Sequence, residues 1–166
     1  MLVLGVDPGA GATGYGIVAR EDGVLRAEEY GSIITTPSDP FPIRLQQIYC
    51  RLAELIRRYQ PEWAVIESLI FAKNAQSAFK LGQVRGVAIL AAALGGVTIA
   101  EYTPLQVKSA VTGYGAAGKG QVQCMVQSLL GLDEPIRSTD AADALAIAIC
   151  HHHSIRLMSL VRKGGR

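Results

Sequence analysis

The sequence predicts a single α/β domain built on a mixed five-stranded sheet that is flanked by helices. Short apolar segments alternate with segments whose apolar residues recur at helical spacing, and the first three strand-like segments follow one another without a helix between them. A chain of 166 residues, of which 49% are hydrophobic, is long enough for one core and too short for two ordinary domains. We therefore expect three antiparallel strands followed by two parallel strands.

The first three strands are expected to form an antiparallel meander. Residues 2–6 are wholly apolar and end at the Asp-Pro-Gly of residues 7–9, which is typical of a buried strand followed by a tight turn. Residues 14–20 and 24–35 are rich in strand-forming side chains. They are separated by the Glu-Asp-Gly of residues 21–23, a strong hairpin signal.

The rest of the chain alternates between helices and strands. Apolar residues from Leu45 to Tyr59 recur at helical spacing, and Pro61 ends that pattern. The further predicted elements are a strand over 63–67, a helix over 74–94, a strand over 97–101, helices over 105–111 and 121–130, and a last helix from Asp140 to about Ile155. The domain should cover residues 1–157, and the basic, glycine-rich residues 158–166 are expected to be disordered.

Composition favours a soluble, cytoplasmic protein. The longest apolar run, residues 87–94, is well short of the roughly 20 residues of a membrane span, and the N-terminus lacks the pattern of a secretory signal. The net charge of +2 does not by itself indicate a polyanionic partner.

Neither the cysteines nor the histidines predict a metal or redox site. Cys50, Cys124 and Cys150 are far apart and are expected to be reduced, buried thiols. Consecutive helical residues point about 100° apart, so the three histidines at 151–153 cannot all bind one ion. We expect them at the end of the last helix.

Carboxylates are placed where they can form a site. Asp7 and Glu67 end two apolar strands, and ligands of open sheets bind beyond such ends. Asp140 and Asp143 lie three residues apart at the start of the last helix, on one face. The four carboxylates converge if that helix crosses the ends of neighbouring strands.

Four converging carboxylates favour a hard divalent cation, and Mg²⁺ fits best. Two such ions about 4 Å apart would orient a water for attack on a phosphodiester and stabilise the leaving oxygen. Three of the four residues have a simpler alternative: Asp7 suits a turn, and Asp140 or Asp143 suits a helix cap. Glu67 lies near buried surface and needs a partner. The prediction of a nuclease therefore depends on their combination.

Three other functions compete with a nuclease. Residues 113–119 match a phosphate-binding loop, but residue 120 is Gly rather than Ser or Thr, and a helix rather than a strand is expected before it. A sugar-kinase or actin-like ATPase shares the strand, Asp and Gly-rich turn, but needs two domains. An inactive DNA-binding module would place its carboxylates unfavourably beside phosphates.

The sequence closely resembles the RuvC family along nearly its whole length. The matching blocks, in order, are Gly-Val-Asp-Pro-Gly at 5–9, Thr-Gly-Tyr-Gly at 13–16, Val-Ile-Glu at 65–67, Ala-Lys-Asn-Ala at 72–75, Lys-Leu-Gly-Gln at 80–83, Gln-Val-Lys at 106–108, and Asp-Ala-Ala-Asp-Ala-Leu-Ala at 140–146. Their order and spacing together make the resemblance specific.

The resemblance implies a ribonuclease H-like fold and a Mg²⁺-dependent endonuclease, with Mn²⁺ as a substitute, that resolves Holliday junctions by paired nicks. It implies a homodimer that works beside the branch-migration proteins RuvA and RuvB. Asp7, Glu67, Asp140 and Asp143 match the family's catalytic, metal-binding positions, and Lys108 and Lys119 its important basic positions. The residues expected to contact DNA are Phe71, Lys73, Asn74, Lys80, Arg85, Lys108 and Lys119. Lys119 is also expected to be catalytic.

The chain departs from the family pattern at three places. Residues 10–12 are Ala-Gly-Ala where the family often has a basic residue. Gly118 precedes Lys119 where an acidic residue is more common, and Ile70 stands where the family has an aromatic, with Phe71 next to it.

Paired nicks in strands of like polarity require two active sites related by a two-fold axis. In the predicted helix over 74–94, Ala78, Gly82 and Gly86 form a stripe of small side chains that another helix could approach. The stripe indicates either the dimer contact or packing against the chain's own sheet.

Overall fold

The structure is a computed structural model that describes the chain except residues 69–74 and 165–166, and no side chains beyond residue 155. Its elements, in chain order, are β1 (Leu2–Asp7), β2 (Ala12–Glu21), β3 (Val24–Ile34), α1 (Phe41–Tyr59), β4 (Trp63–Glu67), α2 (Ala75–Leu94), β5 (Thr98–Tyr102), α3 (Pro104–Thr112), α4 (Lys119–Leu130) and α5 (Thr139–Gly164). All five predicted strands are present.

The strands form one sheet in the order β3-β2-β1-β4-β5. β1 and β3 each pair antiparallel with β2, whereas β4 is parallel to both β1 and β5. The predicted mixed sheet is thus confirmed. Because β1 and β4 are parallel neighbours, their carboxyl ends lie side by side at one edge of the sheet.

Helices cover both faces of the sheet. Alternate residues of a strand point to opposite faces, so Leu4 and Val6 pack with α1 and α2, while Val3 packs with α3, α4 and α5. Each face has its own cluster of fully buried apolar side chains. The site residues are therefore carried by elements that are rigidly packed on both sides.

α5 lies unusually close to the central strands. A Cβ built on Gly5 of β1 would lie 2.0 Å from the carbonyl oxygen of Ala144 in α5. Only a residue without a side chain allows this approach, and the absence of a side chain at Gly5 therefore helps to fix the height of α5 above the sheet.

Two helices differ from their predicted bounds by more than two residues. α1 begins at Phe41 rather than Leu45, because proline is tolerated in the first turn of a helix and Pro42 lies there. α5 continues to Gly164, past the end predicted near Ile155 and through most of the segment 158–166 that was expected to be disordered. Between 155 and 163 the sequence contains neither glycine nor proline to end a helix.

The prediction that the three histidines lie at a helix end is wrong for the same reason. Residues 151–153 lie in the interior of α5, and His151 and His152 are buried. The prediction of buried thiols is right only for Cys150, since Cys50 and Cys124 are exposed.

α2 is long and apolar enough to cross a membrane by length and composition alone. Its contacts instead make it part of the domain. Val84 and Ala88 are buried in the core, and Arg85 forms an ion pair with Glu101 of β5 at 2.6 Å. Only 22% of the most apolar 18-residue stretch of α2 is buried, so the outer face of α2 is a large apolar surface.

Candidate active site

Asp7 and Glu67 are the last residues of β1 and β4. We call this end of the sheet, formed by the C-terminal ends of the two central strands, the carboxylate edge. Alternate residues of a strand share a face, and Val3 and Val65 belong to the apolar cluster on the α5 face. Asp7 and Glu67 are therefore on the α5 face as well. Asp7 lies beside Gly14 of β2, and Glu67 beside Tyr102 of β5. The predicted neighbouring placement of the two carboxylates is confirmed.

The start of α5 brings Asp140 and Asp143 to the same edge. A Cβ on Gly14 would lie 2.0 Å from the carbonyl oxygen of Asp140, so the first turn of α5 rests directly on β2 beside Asp7. Ser138 caps this turn, because its Oγ accepts a hydrogen bond from the backbone N–H of Ala141 at 3.3 Å.

Burial and mutual repulsion disfavour the ionised forms of these carboxyl groups. Burial, and then the charges of Asp143, Glu67 and Asp140, raise the pKa of Asp7 to about 7. Burial and Asp143 also raise the pKa of Glu67, and burial raises that of Asp143 with a further contribution from Asp140. The negative charge of the cluster is thus only partly compensated by the protein.

Two lysines supply that partial compensation. Lys119 Nζ lies 3.7 Å from a carboxylate oxygen of Asp143, although its side chain is 80% exposed. Lys108 and Lys119 line a pocket of about 230 Å³ together with Glu67 and Asp143. Both act to lower the pKa of Glu67 and Asp143, against the effect of burial. The pocket therefore places cations and carboxylates around one small volume, as predicted for these residues.

The donor set suits a hard divalent cation. All four side chains offer carboxylate oxygens. The raised pKa of Asp7 shows that nearby cations do not fully compensate the negative charge around it. Within the described part of the chain, however, no three His, Cys, Asp or Glu side chains are arranged to hold an ion as they stand. The residues thus fit such a metal by their chemistry and electrostatics, and the coordination geometry is not formed.

The turn that follows Asp7 is held by side chains that the sequence analysis did not identify. Thr13 Oγ1 donates to the carbonyl oxygen of Gly9 at 2.9 Å, and Thr35 Oγ1 donates to that of Ala10 at 2.9 Å. Arg44 of α1 donates through Nη2 to the Ala10 oxygen and through Nε to Thr35 Oγ1 at 2.9 Å. Arg44 was visible in the sequence only as one of several basic residues on the polar face of α1.

The other residues predicted to contact DNA differ in how free their charge is to bind a phosphate. Lys80 is exposed on α2, whereas the charge of Arg85 is already paired with Glu101 at the β5 edge. Phe71, Lys73 and Asn74 lie outside the described residues, and their predicted roles stay predictions.

The three histidines are used for packing and hydrogen bonding. His151 Nδ1 lies 3.0 Å from the Tyr102 hydroxyl, and its ring packs against Trp63 with centroids 4.6 Å apart. His152 Nε2 lies 3.0 Å from the Val18 carbonyl oxygen, and His153 Nδ1 lies 2.9 Å from that of Ala110. These contacts attach α5 to the sheet and to α3.

The alternative sites lack the required features. Residues 113–118 connect α3 to α4, so the motif follows a helix rather than a strand, and the phosphate-binding-loop interpretation fails on structure as well as sequence. A larger cavity of about 430 Å³ lies between the C-terminal ends of α1 and α2, where Arg57, Gln60 and Leu94 are among its lining residues. It contains no carboxylate and lies at the sheet edge opposite to Asp7.

Comparison with known proteins gives one consistent result. The family model described as crossover junction endodeoxyribonuclease RuvC matches residues 3–151. A protein of that description from Syntrophomonas wolfei is 50% identical over 161 residues, which cover 97% of this chain and 94% of the relative.

Solved structures give the same result. Thermus thermophilus RuvC in complex with Holliday junction substrate superimposes with a TM-score of 0.90 and 37% identity, over 95% of this chain and 96% of the other. The yeast mitochondrial Holliday junction resolvase Ydc2 shares the fold, with a TM-score of 0.72 at 14% identity over 97% of this chain and 81% of the other.

Proposed function

The chain belongs to the crossover junction endodeoxyribonuclease RuvC family, and from that membership we propose how its own residues resolve a Holliday junction. Its fold is the ribonuclease H-like one, and it is a junction-cutting nuclease. The observation that carries the proposed mechanism is the meeting of Asp7, Glu67 and Asp143 beside Lys119 at the carboxylate edge.

Nucleases of this family use divalent metal, and the residues that would hold it here are Asp7, Glu67, Asp140 and Asp143. We propose Mg²⁺, with Mn²⁺ as a substitute, because oxygen is the only donor type that the four side chains offer. When bound there, a pair of such ions would supply an activated water for attack on a phosphodiester and charge that stabilises the leaving oxygen. The raised pKa of Asp7 supports this proposal, since a nearby dication favours the ionised carboxylate.

Lys119 and Lys108 are proposed to orient the strand that is cut. Lys119 is largely exposed yet lies 3.7 Å from Asp143, so its ammonium can contact a phosphate oxygen without leaving the carboxylates. Such a contact stabilises charge that develops at the scissile phosphate. Lys108, which lines the same pocket, would hold the adjoining backbone. The other members of the DNA-binding set that the resemblance and the sequence predict are Phe71, Lys73, Asn74, Lys80 and Arg85.

Two copies of the chain are needed for paired nicks, since one copy carries one carboxylate cluster among its described residues. We propose that α2 forms the dimer contact. Gly82 and Gly86 are exposed, and no atom of the described residues lies within 4 Å of a Cβ built on either, which supports a dimer contact over packing against the chain's own sheet. Phe79 is 73% exposed and Leu90 51% exposed on the same helix. An apolar helix face with small residues at its centre suits close contact with a second copy.

The cellular setting follows from the family. We propose a cytoplasmic enzyme that acts on junctions in recombination and repair of DNA, beside the branch-migration proteins RuvA and RuvB. No role at a membrane is proposed, because the apolar face of α2 is assigned to the dimer.

The direct test offers the protein a synthetic four-way junction and a linear duplex of the same sequences, with and without Mg²⁺. We expect paired nicks confined to the junction and dependent on the metal. Asp7→Asn, Glu67→Gln, Asp140→Asn and Asp143→Asn should each abolish cutting while junction binding is unchanged or stronger, because each removes a negative charge that binds metal and repels phosphate. Substantial Mg²⁺-dependent nicking by Asp7→Asn would show that the metal site is misplaced.

A further inference from the structure

Two basic side chains on the α1–α2 face share one aromatic ring. The guanidinium carbon of Arg44 lies 5.6 Å from the centre of the Phe41 ring, and Lys80 Nζ lies 5.9 Å from the same centre. Arg44 is in the first turn of α1, and Lys80 is in the second turn of α2. Both cations are attracted to the electron-rich ring, which brings two positive charges together without neutralising either.

No carboxylate compensates this pair within the described residues. Of the ion pairs found there, none includes Arg44 or Lys80, whereas Arg51 pairs with Glu29 and Arg85 with Glu101. Lys80 is exposed and Arg44 half-buried. Adjacent uncompensated cations at a protein surface attract anions. The pair thus has the electrostatic character of an anion-binding site.

The chain topology places this pair at the carboxylate edge. α1 begins shortly after β3 ends beside the start of β2, and α2 begins shortly after β4 ends at Glu67. Arg44 also donates hydrogen bonds to Ala10, in the turn that follows Asp7, and to Thr35. Its Nη1 has no hydrogen-bond partner among the described residues and can donate to a ligand.

The two basic pairs lie on opposite faces of the sheet. Arg44 and Lys80 belong to the α1–α2 layer, while Lys108 and Lys119 belong to the layer of α3, α4 and α5. The carboxylates lie between them, at the end of the sheet itself. A polyanion that passes over the ends of β1 and β4 can therefore reach both pairs.

We propose that Arg44 and Lys80 bind a DNA phosphate on the α1–α2 side of the carboxylate edge, so that the strand to be cut crosses the edge between two basic pairs. Arginine offers several N–H donors to a phosphate, and the neighbouring lysine adds a point charge. The pair would supply on α1 and α2 the positive charge that residues 10–12 do not. This inference rests on the proposed function, because it assumes that nucleic acid is the polyanion.

The test measures DNA binding without divalent metal, so that nothing is cut, over about 50 to 200 mM salt. Arg44→Gln and Lys80→Ala should each reduce the slope of log K against log salt by about 1, because one counterion fewer is released. Arg44→Lys keeps the charge and should keep the slope. The matched control is Arg57→Gln, an exposed residue at the far end of α1, which should leave the slope at the wild-type value.

Wild-type slopes in Arg44→Gln and Lys80→Ala would overturn the inference, as would an equal reduction in Arg57→Gln. Thermal melting of each variant identifies any change caused by misfolding, and Lys80→Ala, at an exposed position, tests the pair even if Arg44→Gln unfolds. Measuring both four-way junction and duplex separates the two proposals: the wild-type preference for the junction tests the proposed function, and the variant slopes test the phosphate contacts.

Discussion

At the scale of single residues, the carboxyl group of Asp7 is held in a state that is useful for catalysis and unfavourable for folding. Its pKa is raised to about 7 by burial and by three neighbouring carboxylates. The folded chain therefore takes up a proton as the pH falls through 7, and the unfolded chain does so only near the ordinary value of 3.8. The unfolding free energy should accordingly fall as the pH rises from about 4 to about 7.

Asp7→Asn is expected to remove this cost. In buffer with a metal chelator at pH 8, the variant should be more stable than the wild type by on the order of 3 kcal/mol, and near pH 4 the difference should be small. Urea unfolding at the two pH values measures this directly. Added Mg²⁺ should stabilise the wild type more than Asp7→Asn. Equal stability of the two proteins at pH 8 without metal would contradict the proposed repulsion.

His151 should make the opposite contribution to the pH dependence. Burial, and then the charge of His152, lower the pKa of His151 to about 4. The unfolded chain therefore binds a proton below pH 6.5 that the folded chain does not bind until about pH 4, and stability is lost as the pH falls through that interval. In His151→Phe the acid loss should be shallower, although the variant starts less stable because the Tyr102 hydroxyl loses its partner. An unchanged slope between pH 6.5 and 4 would assign the acid sensitivity to other groups.

At the scale of secondary-structure elements, the site depends on how closely α5 approaches the sheet. The hydrogen bond from His152 to the Val18 carbonyl oxygen of β2, and the missing side chains of Gly5 and Gly14, set this distance. Asp140 and Asp143 are carried by α5, while Asp7 and Glu67 are carried by the strands. A change in helix height therefore separates the two halves of the carboxylate cluster.

Gly14→Ala tests this packing, because its Cβ would lie 2.0 Å from the Asp140 carbonyl oxygen. We expect a loss of about 1–3 kcal/mol or more in unfolding free energy, and a reduced cleavage rate at temperatures where the variant is folded. Gly11→Ala is the control, since nothing lies within 4 Å of a Cβ there. If both variants melt at the same temperature, α5 is not held against β2 as described.

At the scale of the whole molecule, the exposed apolar face of α2 is the feature that a single domain does not explain. Gly82→Arg should disrupt the proposed dimer, because it places a long charged side chain at the centre of that face. The domain itself should still fold, since Gly82 is exposed and a Cβ there meets no neighbour within 4 Å.

Sedimentation is expected to show a wild-type dimer and a Gly82→Arg monomer with an unchanged circular dichroism spectrum. Val24→Arg, at another exposed apolar position in β3, is the control and should stay dimeric. The monomer should lose paired, nearly simultaneous nicks. A monomer that retained them would defeat the requirement for two sites.

Most of the architecture was determined by the sequence, because strand and helix periodicity and turn residues are local properties. The antiparallel meander followed from short connections, and the position of Asp7 and Glu67 at strand ends followed from the apolar segments that precede them. The full order of the strands, with β4 beside β1, was decided by the tertiary structure. The family resemblance added the assignment of Asp140 and Asp143, which local pattern alone left open to helix capping.

The tertiary structure decided what depends on distance between remote segments. The raised pKa of Asp7, the contacts of Arg44 with the turn after Asp7, and the ring that Arg44 shares with Lys80 each join residues that are far apart in the chain. Burial of His151, far from the helix end where it was expected, depends on how far α5 continues and on what covers it. Such properties arise from packing between elements, and no local pattern of residues encodes them.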